Sequence, residues 1–593
     1  MGGANPIRLQ SMTNTSTMDT DGCVEQAKRI IAAGGEYVRL TTQGVREAEN
    51  MRNINIGLRS QGYDTPLIAD VHFNPKVADV AALYCEGVRI NPGNYVDAAR
   101  TFKHLDYTDE EYAEELRKIH DRLVTLLDIC KENHTAIRIG VNHGSLSDRI
   151  MSRYGDTPSG MVESCMEFLR VCVSENFHDV VISIKASNTV VMVKTVRLLV
   201  EQMEREGMSF PLHLGVTEAG EGEDGRIKSA LGIGALLADG IGDTVRVSLT
   251  EAPEAEIPVA KKLVEYVTKR AGHPYIPGKE ASSFSYTDPV RRKTNAVIGI
   301  GGDNVPQVCS VRLGGEDGIN EQFRPDFIYC GKHLPATLRD DIRYIVDADV
   351  WDGRSGTYPA FNHSQLIMLH HCPARAKFLF ATYMGLGEEA MVCLKRHPEV
   401  VIIAQSNHPN RLGEMRGIAH QLMNFGLSNP IIYFQHYAED SLEDLQIKSA
   451  ADMGALIMDG LCDGVCIYNK GIVIPVTKTD EVAFSILQAG RARTSKTEYI
   501  SCPSCGRTLY NLESTIARIK AATADMKGLK IGIMGCIVNG PGEMADADYG
   551  YVGAGRGKIS LYKKKECVER GIPEEQAVEK LIRLIRENES ERT

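Results

Sequence analysis

The chain has 593 residues, a net charge of −11 and a pI near 5.9, so its surface as a whole disfavours a nucleic-acid-binding role. This length exceeds what one hydrophobic core serves, and two to four domains are expected. Fifteen cysteines without disulfide-like spacing, no secretory signal in residues 1–10 and no apolar run long enough for a membrane span predict a cytoplasmic protein.

Short β-branched runs alternate with helical patterns through the first 270 residues. Eight runs can be counted, at 8–12, 37–40, 67–72, 88–91, 137–142, 180–186, 212–217 and 244–249. Repeated βα units of this kind predict a parallel sheet, and eight of them match a closed (βα)8 TIM barrel better than an open doubly wound sheet. We therefore assign residues 1–270 to a substrate-binding TIM barrel.

The polar residues of these runs cluster toward their carboxyl ends, the face at which TIM barrels hold their active sites. Five of them are cations, namely Arg39, Arg89, Arg138, Lys185 and Arg246. Since cations converging on one mouth repel one another, we expect a bound anion there and infer a small, phosphate-rich ligand. The alternative is a set of structural ion pairs with acidic residues of neighbouring strands or helices.

Thr217-Glu218-Ala219-Gly220 places a carboxylate just beyond the seventh run, among these cations. Glu218 is a candidate proton donor, and a salt bridge explains it equally well at this point. His72, His143 and His213 also lie at or near strand ends, but they form no metal-ligand pair. Packing or hydrogen bonding is favoured for these three histidines.

Residues 271–490 carry an additional block, part of which repeats the first half. The segments 227–247 and 447–467 align without gaps and share eleven of twenty-one residues, and 187–211 matches 406–430. In this alignment Lys185 falls on Ala404 and Arg246 falls on Cys466. The copy keeps scaffold positions and loses cations, so we expect a degenerate barrel-like α/β spacer domain without a second anion site.

The last segment, 491–593, holds Cys502-Pro-Ser-Cys505, then Cys536 and Glu543 within a Gly-rich stretch. Three thiolates and one carboxylate leave one corner of a metal centre easily exchanged, which favours a catalytic 4Fe-4S cluster over a saturated site. The alternative is structural zinc in a ribbon, which lacks its second cysteine pair unless Cys567 serves with Cys536. The Gly-rich run at 550–558 lacks Walker spacing and predicts a hairpin turn.

With these residues set out, the chain resembles the 4-hydroxy-3-methylbut-2-enyl diphosphate synthase family, iron-sulfur enzymes of the methylerythritol phosphate route to isoprenoids. The resemblance covers nearly the whole length. It is carried by QSMTNT at 10–15, ADVHF at 69–73, VRINPGN at 88–94, IRIGVN at 137–142, KAS at 185–187, TEAG at 217–220, RVSL at 246–249, CPSC at 502–505 and GCIVNGPGE at 535–543. The inserted block is similar to that of the family's three-domain form.

The resemblance implies a set of site residues. Cluster ligands are implied at Cys502, Cys505, Cys536 and Glu543. Binding of 2-C-methyl-D-erythritol 2,4-cyclodiphosphate is implied for Arg39, Arg89, Arg138, Asn142, Lys185, Arg246 and Ser248. Family members usually carry more residues before the first strand, so the abrupt start at Met1 is a departure that bears on closure of the barrel bottom.

The resemblance also implies the reaction, a reductive ring opening and dehydration that yields 4-hydroxy-3-methylbut-2-enyl diphosphate. Two electrons arrive through the cluster from ferredoxin or flavodoxin, Glu543 gives way to a substrate oxygen, and Glu218 is the candidate acid. In two-domain relatives the cluster domain meets the partner's barrel, whereas a spacer would let one chain, monomer or homodimer, close upon itself. The competing hypothesis is a non-redox phosphate-binding barrel with a zinc ribbon.

Overall fold

The computed structural model describes residues 1–97, 104–314, 318–471, 473–537 and 540–589. Its described part forms two compact units, one of Met1–Val264 with Lys496–Thr593 and the other of Glu265–Ser495. The first unit contains a closed barrel and a five-stranded sheet, and the second contains another closed barrel. No helix within the described ranges combines the length and apolar character that a membrane span requires.

The first barrel consists of eight parallel strands in the order in which they occur in the chain, which confirms the predicted TIM barrel. The strands are β1 Arg8–Met12, β2 Tyr37–Thr42, β3 Leu67–Val71, β4 Gly87–Ile90, β5 Ala136–Asn142, β6 Val180–Lys185, β7 Leu212–Leu214 and β8 Thr244–Val245. The helices are α1 Thr20–Ala32, α2 Val45–Arg59, α3 Pro75–Ala82, α4 Pro92–Tyr95, α5 Asp109–Asn133, α6 Asp148–Tyr154, α7 Pro158–Ser174, α8 Thr189–Arg205, α9 Gly222–Ala238 and α10 Glu256–Thr268.

The last two strands are shorter than the predicted runs at 212–217 and 244–249. After Val245 only the Arg246 amide continues the ladder, donating to the Leu214 carbonyl at 3.0 Å. The Leu249 amide donates instead to the carboxylate of Glu256 at 3.3 Å. A side-chain acceptor thus replaces the neighbouring strand, and residues 246–249 stay buried without strand pairing.

The second barrel is also closed and parallel, with the first strand of the unit pairing to the last. Its strands are β9 Gln307–Val311, β10 Phe327–Tyr329, β11 Arg343–Asp347, β12 Thr357–Phe361, β13 Lys377–Ala381, β14 Val400–Gln405, β15 Ile431–Tyr437 and β16 Gly464–Asn469. Its helices are α11 Leu366–His371, α12 Glu388–Arg396, α13 Arg411–Asn424, α14 Leu442–Met458 and α15 Val476–Ala489. The interior is aromatic, with Phe327, Tyr358 and Phe378 in one cluster.

Two features outside the strands recur in both barrels, as the sequence repeat predicts. Arg197 pairs with Asp239 at 3.0 Å, and the aligned Arg416 pairs with Asp459 at 2.7 Å. Asp243 accepts from the Leu212 amide at 2.8 Å, and its counterpart Asp463 accepts from the Ile431 amide at 3.0 Å. The cations did not persist, because Ala404 and Cys466 are buried where the first barrel has Lys185 and Arg246.

The C-terminal sheet has the order β17 to β21, with three parallel strands followed by two antiparallel ones. Its strands are β17 Glu498–Ser501, β18 Lys530–Met534, β19 Tyr549–Gly555, β20 Lys558–Lys563 and β21 Glu566–Pro573, and its helices are α16 Leu512–Thr523, α17 Gly540–Glu543 and α18 Glu574–Glu589. The turn between β19 and β20 confirms the predicted hairpin, and Gly557 supplies its left-handed backbone at φ 65°. The α/β class predicted for all three parts is thereby confirmed.

Candidate active site

The five predicted cations all lie on or just after strands of the first barrel, at its carboxyl end. Arg39, Arg89 and Arg138 lie on β2, β4 and β5, Lys185 ends β6, and Arg246 follows β8. All except Arg138 line one cavity together with Asn142, Glu218 and Ser248. Arg138 is buried on β5, where its backbone lies in register with Arg89 of β4.

The carboxylate of Asp70, on β3, lies among these cations and binds several of them. It accepts from Arg89 at 3.1 Å, from Arg39 at 3.3 Å and from Arg507 at 3.5 Å. Although burial opposes it, the charges of Arg39 and Arg89 hold the pKa of Asp70 well below its usual range. Arg246 has its own partner, since Glu256 accepts two hydrogen bonds from its guanidinium, both at 2.9 Å.

Two rim cations, Arg138 and Lys185, make no ion pair with any residue that the structure describes. Burial, followed by repulsion from Arg39 and Arg89, lowers the pKa of Arg138 to about 9. Burial and the neighbouring arginines also lower the pKa of Lys185 well below its usual value. The structural ion pairs considered as an alternative therefore account for only part of the cluster, and uncompensated positive charge remains at the mouth.

Glu218 and Glu543 form a buried carboxyl pair at the edge of this cluster. Glu543 is 3% exposed and accepts from the Thr217 hydroxyl at 3.1 Å, while its other oxygen has no hydrogen-bond partner among the described residues. Burial, and then the charge of Glu218, raises the pKa of Glu543 well above its usual value. Burial also raises the pKa of Glu218, whose backbone adopts a left-handed φ of 49°. Two carboxyls in contact favour a shared proton.

The three predicted cysteine ligands line the same cavity as the barrel cations. Cys502 follows β17, Cys536 follows β18, and Cys505 lies in the loop after Cys502. The Cys502 sulfur accepts from the Gly535 amide at 3.2 Å. Burial and the nearby Cys505 raise the pKa of Cys502. Residues 538–539 of the predicted motif at 535–543 lie outside the described residues.

The arrangement of the cysteines and Glu543 bears on the two metal centres predicted from sequence. Within the described ranges no three His, Cys, Asp or Glu side chains converge as ligands of one ion, which a closed zinc site requires. An iron-sulfur cluster spreads its protein ligands over several iron atoms. Three thiols that line one cavity, together with Glu543 of α17, one of whose oxygens has no hydrogen-bond partner among the described residues, fit a cluster of that kind.

The C-terminal sheet docks on the barrel through backbone contacts. Gly542 in α17 meets Gly144 in the turn His143–Ser145 so closely that a Cβ on Gly542 would lie 1.7 Å from the Gly144 oxygen. The Ser187 hydroxyl donates to the Glu543 carbonyl at 3.1 Å, and the Thr250 hydroxyl donates to the Cys502 carbonyl at 2.9 Å. The cysteines and the cations are thereby held on one cavity within one chain.

Comparisons with known proteins agree over the whole chain. The family model described as the GcpE TIM-barrel domain matches residues 1–261, and the GcpE protein C-terminal domain matches residues 498–587. A relative from Bacteroides thetaiotaomicron is 73% identical over 100% of this chain and 96% of its own length. Relatives from Porphyromonas gingivalis and Chlorobaculum tepidum are 50% and 40% identical over 99% of this chain, covering 95% and 87% of their own lengths.

These three relatives carry the same name, 4-hydroxy-3-methylbut-2-en-1-yl diphosphate synthase (flavodoxin). The chain belongs to the 4-hydroxy-3-methylbut-2-en-1-yl diphosphate synthase family. Membership confirms the predicted family, the enzymatic class and its place in isoprenoid biosynthesis, and it does not support the zinc-ribbon alternative. The roles assigned to single residues are not tested by these comparisons and stay predictions.

Several residues at the synthase cavity were not predicted as site residues. Asp70 and His72 lie at the end of β3, Thr217 binds Glu543, and Arg507 reaches Asp70 from the C-terminal sheet. The motif ADVHF offered a signal for the first two, since it places two polar residues at the end of an apolar strand. Arg507 follows Cys505 by two residues, a spacing that does not indicate a contact with Asp70.

Proposed function

We propose that this chain converts 2-C-methyl-D-erythritol 2,4-cyclodiphosphate to 4-hydroxy-3-methylbut-2-enyl diphosphate. The substrate takes up two electrons and two protons. The bond between C2 and its phosphate oxygen breaks, the C3 hydroxyl leaves as water, and a C2–C3 double bond forms. One observation carries the proposal: four of the five barrel cations and the three cysteines line one cavity.

The barrel mouth binds the cyclic diphosphate in this proposal. Arg138 and Lys185 supply the positive charge that Asp70 and Glu256 leave uncompensated, and Arg39, Arg89 and Arg246 complete the set of cations. Asn142, which accepts from Arg89 at 3.2 Å, and Ser248 add polar groups at the same rim. Burial lowers the pKa of Arg138 and Lys185 first, and a diphosphate bound here offsets the further lowering that comes from the neighbouring arginines.

Cys502, Cys505, Cys536 and Glu543 hold a 4Fe-4S cluster in this proposal. When bound, such a cluster supplies single electrons and one exchangeable coordination position. Glu543 suits that position because a carboxylate binds iron less firmly than a thiolate and because Thr217 can keep its hydrogen bond to the released carboxyl. The chain's own contribution is to fix both ends of Glu543, through Thr217 and Ser187.

Glu218 protonates the departing hydroxyl in this proposal. Its raised pKa keeps a proton available on the carboxyl, and it lies in the cavity wall with Lys185 and Arg246. The backbone of Glu218 is held by its neighbours, since Ala219 forms a bridge to Ser501 of β17. Contacts from the first barrel and from the C-terminal sheet therefore both position the Glu218 carboxyl.

Flavodoxin is the proposed electron donor, because the names of the relatives specify flavodoxin. Closure within one chain is a further part of the proposal, supported by the contacts of Gly542, Ser187 and Thr250. The test is to mix a Cys536→Ser chain with an Arg138→Ala chain. We expect no recovered turnover, and restored activity would contradict closure within one chain.

The function itself is tested on protein purified without oxygen. We expect about four iron and four sulfide per chain, and formation of the alkene diphosphate from the cyclic diphosphate with reduced flavodoxin, measured by phosphorus NMR. Cys536→Ser should lose the iron, and Arg138→Ala should keep it while losing substrate affinity. One zinc per chain, or no product with iron fully loaded, would contradict the proposal.

A further inference from the structure

A second cavity lies at the rim of the second barrel, entirely within residues 265–495. It has a volume of about 570 Å³ and lies where β14, β15 and β16 end, which is the face at which TIM barrels bind ligands. Its walls carry five cations, Lys269, Arg270, Arg411, Lys448 and Lys470. The sequence repeat led to the expectation of no second anion site in this domain, because Lys185 and Arg246 are lost in the copy. None of these five cations replaces either of them.

Among the described residues, two carboxylates line this cavity, Glu439 and Asp452, and each already has a cationic partner. Glu439 binds Lys448 at 2.7 Å, and Asp452 binds Arg270. Lys269, Arg411 and Lys470 make no ion pair within the part of the chain that the structure describes. The walls therefore carry an excess of positive charge that the protein itself does not neutralise.

Arg270 is held in place by a buried network. The hydroxyls of Tyr266 and Tyr437 donate to Asp452 at 2.7 and 2.8 Å, and Asp452 binds one end of the Arg270 guanidinium. The guanidinium lies 4.9 Å from the centre of the Tyr266 ring. Arg270 is only 9% exposed, and its Nη1 has no hydrogen-bond partner among the described residues. A buried, fixed donor without an acceptor on a cavity wall indicates a missing ligand atom.

His408 contributes a second buried polar atom of this kind. Its Nδ1 lies 3.0 Å from the Asn410 amide nitrogen and 3.3 Å from the Asn410 carbonyl oxygen. Its Nε2 is buried without a partner among the described residues. Arg411 is oriented as well, since its Nη1 donates to the His436 carbonyl at 2.9 Å. The remaining Arg411 donors are left for another acceptor.

We propose that this cavity binds a small anion that presents phosphate or diphosphate groups, at a site separate from the mouth of the first barrel. Planar guanidinium groups and lysines bind such oxygens through charge-assisted hydrogen bonds. The volume suits a small molecule rather than a polymer. This site is independent of the proposed reaction, because none of its residues lines the cavity that holds the cysteines.

The test is calorimetric titration of the full-length, cluster-loaded protein with inorganic pyrophosphate at physiological salt. We expect two sites in the parent. Lys269→Gln with Lys470→Gln, two exposed positions, should weaken one site at least tenfold and leave turnover unchanged. Arg411→Gln should weaken the same site, and Arg138→Gln should remove the other one, which assigns each binding event.

The matched control is Lys395→Gln with Arg396→Gln, two exposed cations of α12 in the same unit, which should leave both sites intact. Two outcomes would overturn the proposal. One is a parent with a single site that Arg138→Gln abolishes. The other is a second binding event that the control pair weakens as much as the lysine pair does, or that sulfate competes for equally, because such binding is diffuse attraction to basic surface. Thermal unfolding of each variant verifies that it folds.

Discussion

Gly144→Ala tests the docking of the C-terminal sheet on the barrel. A Cβ on Gly144 would lie 2.5 Å from the Glu543 nitrogen and 2.5 Å from the Gly542 carbonyl carbon. Both are backbone atoms, so they cannot rotate away. Since comfortable contacts of this kind begin near 3.5 Å, the turn that carries Glu543 must move by about 1 Å.

A displacement of about 1 Å at a reacting centre costs on the order of 100-fold in rate, or about 2.7 kcal/mol in activation free energy. We expect kcat to fall by about that factor, with the affinity for the cyclic diphosphate nearly unchanged because the barrel cations are untouched. Gly144 has no left-handed φ, so alanine strains nothing locally. Steady-state kinetics and direct substrate titration measure the two quantities.

The matched control is Gly387→Ala, because a Cβ there meets no atom within 4 Å. We expect Gly387→Ala to retain full activity, and both variants to unfold at similar temperatures. Activity of Gly144→Ala within twofold of the parent would refute the reasoning. So would a loss of activity that disappears when substrate is raised, because that result locates the damage in binding.

Three further predictions concern the charges and hydrogen bonds of the same cavity. Arg138→Met should raise the free energy of unfolding by roughly 5 kcal/mol while abolishing substrate binding, because burial and the neighbouring arginines lower the pKa of Arg138 from 12.5 to about 9, and each tenfold change in proton affinity is worth about 1.36 kcal/mol. Denaturant unfolding measures this change, and an unchanged or lower stability contradicts it. Asp70→Asn should lower the free energy of unfolding by about 3 to 5 kcal/mol at neutral pH by leaving three arginines without their anion. Because the pKa of Asp70 is lowered on folding, its contribution is present above about pH 4 and is lost as the pH falls further, so the difference between Asp70→Asn and the parent should shrink in acid; a constant difference would contradict this. Thr217→Val should lower kcat about tenfold with KM unchanged, since it removes the 3.1 Å hydrogen bond to Glu543, whereas Thr125→Val, on the exposed face of α5, should change neither.

The barrel and its mouth could be predicted from sequence because the information is local. Each run of β-branched residues ends in polar ones, and a parallel barrel brings all such ends together, so Arg39 and Lys185 could be assigned to one rim without knowing any contact. The same reasoning overestimated β8, because the acceptor that replaces the strand ladder there is the side chain of Glu256.

The contacts between the two parts of the synthase unit could not be predicted in this way. Thr217 and Glu543 are 326 residues apart, and Arg507 and Asp70 are 437 apart. No periodicity or motif spacing links such positions. The cationic cavity of the second barrel differs from the sequence expectation for a related reason. Lys269, Arg411 and Lys470 come from three separate segments, whereas the expectation of no second anion site rested on the loss of cations at Ala404 and Cys466.

The arginine–aspartate ion pair that recurs in both barrels has an evolutionary consequence. Arg197 with Asp239, and Arg416 with Asp459, clamp a helix to the loop that follows the next one, and they survived duplication while the strand ends diverged. Residues that hold the fold and residues that do chemistry are therefore separable sets. A duplicated barrel of this kind can accept substitutions at its mouth without unfolding. Its rim residues can therefore evolve a new binding specificity.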